Sequence, residues 1–130
     1  MHVREGMNPE VLTIGPNHTL RDASRLMAKR HVGAAVVIDP ETSGVGILTE
    51  RDVLEAIGSG EDPDHELAGA HLTKDLVFAA PDWLMDDAAV AMIKGGFRHL
   101  VVLEGNDVVG ILAMRDIVRC WTSATAASSA

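Results

Sequence analysis

The sequence is poor in several features, and each shortage excludes a class of protein. It contains one cysteine, Cys120, so no disulfide forms within the chain, which agrees with a reducing compartment. No apolar run approaches the ~18 residues that a membrane-spanning helix requires, and residues 1–5 lack the apolar core of a secretory signal. We therefore expect a soluble, cytoplasmic protein with no membrane partner.

Basic residues are also scarce. The chain has 11 Lys and Arg against 19 Asp and Glu, a formal net charge of −8. A protein that grips a nucleic-acid backbone needs a basic face, so we expect no nucleic-acid partner. A small anionic ligand is still compatible with this charge, provided that a few cations are placed beside it.

Signals for metal binding and catalysis are missing from the sequence. Six histidines are present, yet no two have the i,i+4 spacing of a helical metal pair, and no Cys/His cluster accompanies them. We also find no nucleophile with a matching base and no paired carboxylates placed for acid–base chemistry. We expect neither a resident metal nor enzymatic activity.

One segment occurs twice: GILTERDV at 46–53 and GILAMRDI at 110–117. Each copy passes from a short apolar run into charged residues with helical spacing, a pattern typical of a strand entering a helix. The first N–H groups of such a helix can bind a phosphate or ribose oxygen. Thr49 offers a hydroxyl, and Asp52 offers a carboxylate that can accept ribose hydroxyls. The same two residues also have the spacing of a capping box, and both interpretations stay open.

The residues around the first copy predict a complete β-α-β-β-α unit. A strand at 11–14 precedes a helix that begins after Thr19, and the apolar run at 34–38 forms a hairpin with 45–48. The final helix begins after Thr49. It is expected to carry three apolar side chains inward: Val53, Leu54 and Ile57.

The pattern then restarts. VLTIGP at 11–16 matches LVFAAP at 76–81. The segment at 46–53 matches its second copy at 110–117, and the distance between these two copies is one residue shorter because the second hairpin turn is tighter. Such self-similarity indicates a duplicated unit. The fold class is therefore α+β, with tandem β-α-β-β-α repeats.

The composition places the boundaries of these repeats. The first is expected at 1–57 and the second at 67–121. Residues 58–66 are acidic and contain proline, which is typical of a linker. Residues 122–130 are small and polar, and we expect a flexible tail there.

Over residues 3–121 the sequence resembles the CBS domain pair, the tandem motif named for cystathionine β-synthase. The resemblance is carried by the two Gly-Ile-Leu-x-x-Arg-Asp segments, the strand and turn at 11–16, and FRHLVV at 97–102. It implies two motifs packed sheet to sheet about a pseudo-twofold axis, with two related clefts. It also implies a regulatory energy sensor that binds an adenosyl ligand such as AMP, ADP or ATP, with or without magnesium, and that forms a homodimer.

The resemblance assigns roles to particular residues. Thr49 matches the phosphate-side hydroxyl and Asp52 the ribose-binding carboxylate, while Asp116 matches the second carboxylate. Phosphate contacts are implied for Arg98 and His99. The second copy has Ala113 in place of the hydroxyl, and the first repeat has Gly33-Ala34 where the second has Arg98-His99. We therefore predict one competent nucleotide site, built from Thr49, Asp52, Arg98 and His99.

The adenine ring would need an apolar slot, and the resemblance points to Thr13, Ile14 and Val32. Leu12 and Ile47 are further candidates, for which core packing is an equal or better explanation. Arg51 and Arg115 each precede an aspartate and fit either a phosphate or a nearby carboxylate.

The alternative function is a structural or protein-interaction dimer whose clefts hold no ligand. In either case the protein target is unknown.

Overall fold

The computed structural model describes residues 1–73 and 76–129, with side chains up to residue 123. In chain order the elements are α1 (Val3–Gly6), β1 (Thr13–Ile14), α2 (Leu20–Lys29), β2 (Ala34–Ile38), β3 (Val45–Thr49), α3 (Glu50–Gly58), α4 (Ala68–His71), β4 (Phe78–Ala79), α5 (Met85–Gly95), β5 (His99–Glu104), β6 (Asp107–Ala113) and α6 (Met114–Ser129). The α+β class and the repeated β-α-β-β-α order are confirmed. Within the described residues, no helix has the length and apolar character needed to cross a bilayer.

The chain divides into two compact units that differ from the sequence repeats. The central unit is Leu12–Leu76, and the outer unit combines Met1–Val11 with Val77–Ala130. The first eleven residues thus pack with the second repeat. The segment predicted as a linker, 58–66, lies within the central unit, where the Arg21 N–H donates to the Pro63 carbonyl at 3.0 Å.

The central unit is built on a three-stranded sheet in the order β1-β2-β3, with β1 parallel and β3 antiparallel to β2. Strand β2 is buried from Ala34 to Val37, as expected of a middle strand covered on both faces. Helix α2 begins at the predicted N-cap, since the Asp22 N–H donates to Thr19 Oγ1 at 3.1 Å. Its apolar stripe enters the core: Leu20, Ala23 and Met27.

The outer unit repeats this arrangement. Its sheet has the order β4-β5-β6, again parallel and then antiparallel. The residues of α5 that match the apolar stripe of α2 are also buried: Met85, Ala88 and Met92. Helix α5 ends at Gly95 and is capped by Gly96, whose φ of +70° is the left-handed conformation that favours glycine. The core also contains Val3 from α1, which has no exposed surface.

The two units result from an exchange of leading segments between the repeats. Asn8, in the leading segment of the first repeat before β1, pairs with Ile111 of β6 through two backbone hydrogen bonds of 2.8 and 3.0 Å. Thr73, in the leading segment of the second repeat before β4, pairs with Ile47 of β3 through bonds of 2.9 and 3.1 Å. Each leading segment therefore extends the sheet of the other repeat.

This exchange explains the glycine that opens both copies of the repeated segment. A Cβ on Gly46 would lie 2.6 Å from a methyl carbon of Leu72 and 3.2 Å from the Thr73 carbonyl oxygen. A Cβ on Gly110 would lie 2.6 Å from Met7 Sδ and 3.3 Å from the Asn8 carbonyl oxygen. Both glycines are needed because the exchanged segment passes directly over the strand.

One expectation from the sequence is corrected here. Leu54 and Ile57 were expected to point inward, but they are 70% and 52% exposed, whereas Val53 packs on the core. Helix α3 is nine residues long and amphipathic, and its inward face is completed by Ala56. Residues 122–129 continue α6 as a helix, and the flexibility expected of residues 122–130 stays a prediction. Alanine has the highest helix propensity, and the preceding turns supply the nucleus that a helix needs. Residue 130 lies outside the described part.

Candidate functional site

Thr49 and Asp52 form a closed arrangement at the junction of β3 and α3. The Thr49 N–H donates to Asp52 Oδ2 at 2.8 Å, and the Thr49 hydroxyl donates to the same oxygen at 3.0 Å. In return, the Asp52 N–H donates to Thr49 Oγ1 at 3.3 Å. These contacts are a capping box, so the structural role predicted for the pair is confirmed.

The capping box also determines which part of Asp52 is available to a ligand. Both contacts to the carboxylate use Oδ2, and within the described chain Oδ1 accepts no hydrogen bond. Asp52 is half-buried, which leaves a face open to solvent. Since the box fixes the rotamer, Oδ1 is a preorganised acceptor for a hydroxyl group.

A shallow depression of about 240 Å³ borders Asp52. It is lined by Asp52, Glu55, Ala56, Ser59, Glu61 and His71. Beside it, His71 Nε2 lies 2.9 Å from Glu66 Oε1, and this hydrogen bond is the largest cause of the lowered pKa of Glu66. The surroundings of Asp52 are therefore rich in carboxylates and polar acceptors.

The residues predicted to hold adenine lie near the same sheet but differ in exposure. Thr13 is exposed on the short edge strand β1, whereas Ile14 is buried in the core of the central unit. Val32 is half-buried and packs against that core. Arg51, on the first turn of α3, is exposed. Leu12 and Ile47 are buried, as the core-packing explanation requires.

The second carboxylate, Asp116, has a different environment. Its Oδ2 accepts the Ala113 N–H at 2.8 Å, which is the half of a capping box that survives without the hydroxyl. Its Oδ1 accepts a hydrogen bond from Arg119 at 2.9 Å. Asp116 is 7% exposed and is the one buried charged residue found in the described chain. Both of its oxygens are therefore engaged.

Arg119 is the residue that sequence reasoning missed. Besides contacting Asp116, its guanidinium donates to the Gly6 carbonyl at 3.1 Å. The sequence does contain a weak indication that the two repeats differ here, because the position of the first repeat that matches Arg119 holds Glu55, of opposite charge. The partner carbonyl could not be identified from spacing, since it lies 113 residues away.

The phosphate-binding candidates Arg98 and His99 belong to the outer unit. Arg98 is exposed, and its carbonyl accepts the Met114 N–H at 2.8 Å, which fixes its backbone at the start of β5. His99 pairs with Ala113 in the β5–β6 register and is half-buried. Thr49 and Asp52 belong to the central unit, so a shared role of the four residues stays a prediction.

A metal site in a protein brings several histidine, cysteine or acidic side chains together around one point. Over residues 1–73 and 76–129, no group of three or more is arranged to hold a metal ion. Cys120 is half-buried and packs on the outer core, in agreement with a structural role.

Comparison with known proteins identifies the fold and the repeats. The CBS domain matches residues 2–59 and 68–122. YhcV, a CBS domain-containing protein of Bacillus subtilis, is 32% identical over 131 residues, which is 98% of this chain and 91% of YhcV. An uncharacterized 17.7 kDa protein of Acidianus ambivalens is 36% identical over 111 residues, 85% of this chain and 66% of that protein. MJ1225 of Methanocaldococcus jannaschii is 31% identical over 117 residues, 90% of this chain but 41% of its own length.

Solved structures give the same result. ATU1752, a CBS-domain containing protein from Agrobacterium tumefaciens, has a TM-score of 0.83 at 28% identity, covering 92% of this chain and 98% of that one. A hexameric CBS-CP12 protein from bloom-forming cyanobacteria has a TM-score of 0.85 at 27% identity, covering 91% and 69%. The CBS pair of protein MJ0100, in complex with 5′-methylthioadenosine and S-adenosyl-L-methionine, has a TM-score of 0.86 at 22% identity, covering 95% and 97%; this likeness concerns the fold alone. The chain belongs to the CBS domain family, and its two motifs form a CBS pair.

Proposed function

We propose that this CBS pair binds an adenosyl ligand through Asp52. The observation that carries the proposal is the half-used carboxylate at the start of α3: Oδ2 is held by Thr49, and Oδ1 is available to a ribose hydroxyl. A ribose offers two adjacent hydroxyls, and a carboxylate oxygen is a strong acceptor for both. The ligand-bound CBS pair of MJ0100 supports the choice of an adenosyl compound.

The ligand that we propose is an adenine nucleotide, AMP, ADP or ATP, with magnesium accompanying a polyphosphate. Arg98 and His99 are the proposed phosphate contacts, with Arg51 as a further cation. The side chains of Arg98 and Arg51 are exposed, and within the described part of the chain no hydrogen bond or ion pair engages either guanidinium, so both are available. Thr13, Ile14 and Val32 are the proposed surroundings of the base.

A sensor must pass on its state of occupancy. A ligand shifts a conformational equilibrium only by its differential affinity for the two states, so the ligand must contact the protein differently in them. We propose that a partner protein of unknown identity distinguishes these states.

Binding is tested by calorimetric titration with AMP, ADP, ATP, S-adenosylmethionine and 5′-methylthioadenosine. The variant Asp52→Asn keeps an oxygen for the capping box but loses the charge. We expect at least a ~10-fold weaker affinity, because hydrogen bonds to charged groups contribute about 1.5–3 kcal/mol.

The matched control is Asp22→Asn, which changes the same position of the capped helix α2, where the aspartate is exposed. It should bind like the wild type. If none of the five compounds binds at millimolar concentration, the adenosyl proposal is wrong.

A second candidate function, an interaction dimer, is favoured by one repeated surface feature. Leu54 and Ile57 of α3 are exposed, and the matching positions of α6, Val118 and Trp121, are 50% and 72% exposed. Exposed apolar side chains at corresponding places in both repeats are typical of a protein interface. We propose that a second copy of the chain covers them, as a homodimer, and the hexameric relative supports self-association.

The dimer is tested with Leu54→Glu. Because Leu54 is 70% exposed, this change should leave the fold intact while it places a charge in the proposed interface. We expect the dimer dissociation constant to rise at least ~10-fold, since 1.4 kcal/mol corresponds to a factor of ten. Light scattering after size exclusion measures the change. Val77→Glu, at an exposed apolar residue outside these helices, should leave the mass unchanged; a wild type that is monomeric at high concentration would exclude the homodimer.

A further inference from the structure

We infer that the Arg119 guanidinium engages the oxygen of Asp116 that would otherwise accept a ribose hydroxyl. Asp116 then stabilises the fold, and the chain binds one adenosyl ligand. This inference rests on the proposed function. It adds a specificity-determining residue, Arg119, to the loss of the hydroxyl at Ala113.

The first support is the saturation of Asp116. Its Oδ2 is taken by the Ala113 N–H at 2.8 Å and its Oδ1 by the Arg119 guanidinium at 2.9 Å. The side chain is 10% exposed. A ribose hydroxyl that approached Oδ1 would have to displace the Arg119 guanidinium. The hydrogen bond from the charged guanidinium is stronger than one from a neutral hydroxyl.

The second support is the contrast with Asp52. Its Oδ2 is held in the same way, by the N–H three residues earlier, but its Oδ1 has no donor within the described chain. The first repeat carries Glu55 where the second carries Arg119, and a carboxylate cannot form this contact. The charge difference at this helical position therefore adds to the loss of the hydroxyl at Ala113 in separating the two carboxylates.

The third support is the other contact of Arg119. The same guanidinium donates to the Gly6 carbonyl at 3.1 Å, at the end of the exchanged α1. Gly6 is buried within the outer unit, where an added Cβ would lie 2.6 Å from Met85 Cε and 2.8 Å from Cys120 Sγ. A ligand that displaced Arg119 would also release this anchor of the leading segment, which raises the cost of binding at Asp116.

The experiment counts ligands per chain by equilibrium dialysis with AMP and with S-adenosylmethionine. Wild type should bind one. The variant Ala113→Thr/Arg119→Gln restores the hydroxyl and removes the cation, and it should bind two. Adding Asp116→Asn to this variant should return the number to one.

A second measurement does not require the Ala113→Thr/Arg119→Gln protein, which is called the opened variant below. In the wild-type background, Asp116→Asn should leave affinity within twofold while lowering the melting temperature. Arg119→Gln should lower the melting temperature less in the Asp116→Asn protein than in the wild type, because only its contact with the Gly6 carbonyl is then lost. Asp52→Asn should do the reverse and weaken binding with little change in melting.

The outcomes separate the two claims. A wild type that binds one ligand, with an opened variant that folds and still binds one, overturns the inference alone. A wild type that binds two also overturns it, as does an Asp116→Asn protein whose single site is lost. A wild type that binds neither probe overturns the proposed function and the inference together. If the opened variant fails to fold, the Asp116→Asn and Asp52→Asn comparison decides.

Discussion

Replacing Val3 with aspartate should unfold the outer unit, although Val3 stands at the beginning of the first repeat. Val3 has no exposed surface and packs with Leu100 and Leu112 in the outer core. The described residues of this core cluster are apolar, so a carboxylate placed among them would be an uncompensated buried charge. Such a charge destabilises a protein by about 4 kcal/mol. Since whole domains are stable by about 5–15 kcal/mol, a change of this size removes much of the stability.

Hydrogen exchange locates the effect of Val3→Asp. The amides of β5 and β6, 99–113, should lose protection before those of β2 and β3, 34–49. Arg4→Asp is the matched control, because Arg4 is exposed on the same short helix, and it should exchange like the wild type. Loss of protection in 34–49 with 99–113 unchanged would contradict the exchange of leading segments.

Gly110→Val should be the second most damaging change, at about 3 kcal/mol, near the upper end of the usual cost of overpacking. Valine is a favourable strand residue, so a loss of stability cannot come from propensity. It would come from the exchanged segment, because the new Cβ meets Met7 Sδ and the Asn8 carbonyl oxygen, and the two Asn8–Ile111 hydrogen bonds must lengthen.

Urea unfolding measures the effect of Gly110→Val through the transition midpoint. Gly58→Ala serves as the control, because nothing lies within 4 Å of a Cβ at that helical position. It should raise stability by about 0.5–1 kcal/mol through helix propensity and a less flexible unfolded chain. A Gly110→Val protein as stable as the wild type would mean that the leading segment does not lie over β6.

The sequence was sufficient wherever structure depends on neighbours along the chain. Hairpins, helix starts and the duplicated unit follow from periodicity and turn residues, and Thr19 and Thr49 cap their helices as their spacing predicts. The same local contacts fixed the rotamer of Asp52, so the best-defined part of the candidate site was accessible to sequence reasoning.

What the sequence did not reveal depends on distant partners. Residues 1–11 are too short to show a period, and nothing local indicates that Asn8 pairs with a strand more than a hundred residues later. The inward or outward direction of Leu54 depends on which helix face the sheet covers. The closure of Asp116 by Arg119 involves an ordinary surface cation, recognisable only once its neighbours are known.

The exchanged leading segments also bear on how such a chain can arise. A single motif cut from it would carry a leading segment with no sheet of its own to join, and its own strand edge would stay uncovered. Two separate copies could satisfy each other only as a domain-swapped dimer, which dilution dissociates. Joining the copies in one polypeptide makes the same exchange intramolecular, at an effective concentration set by the linker. The tandem chain is thus the covalent form of a swapped dimer, and its assembly no longer depends on how much of the protein is present.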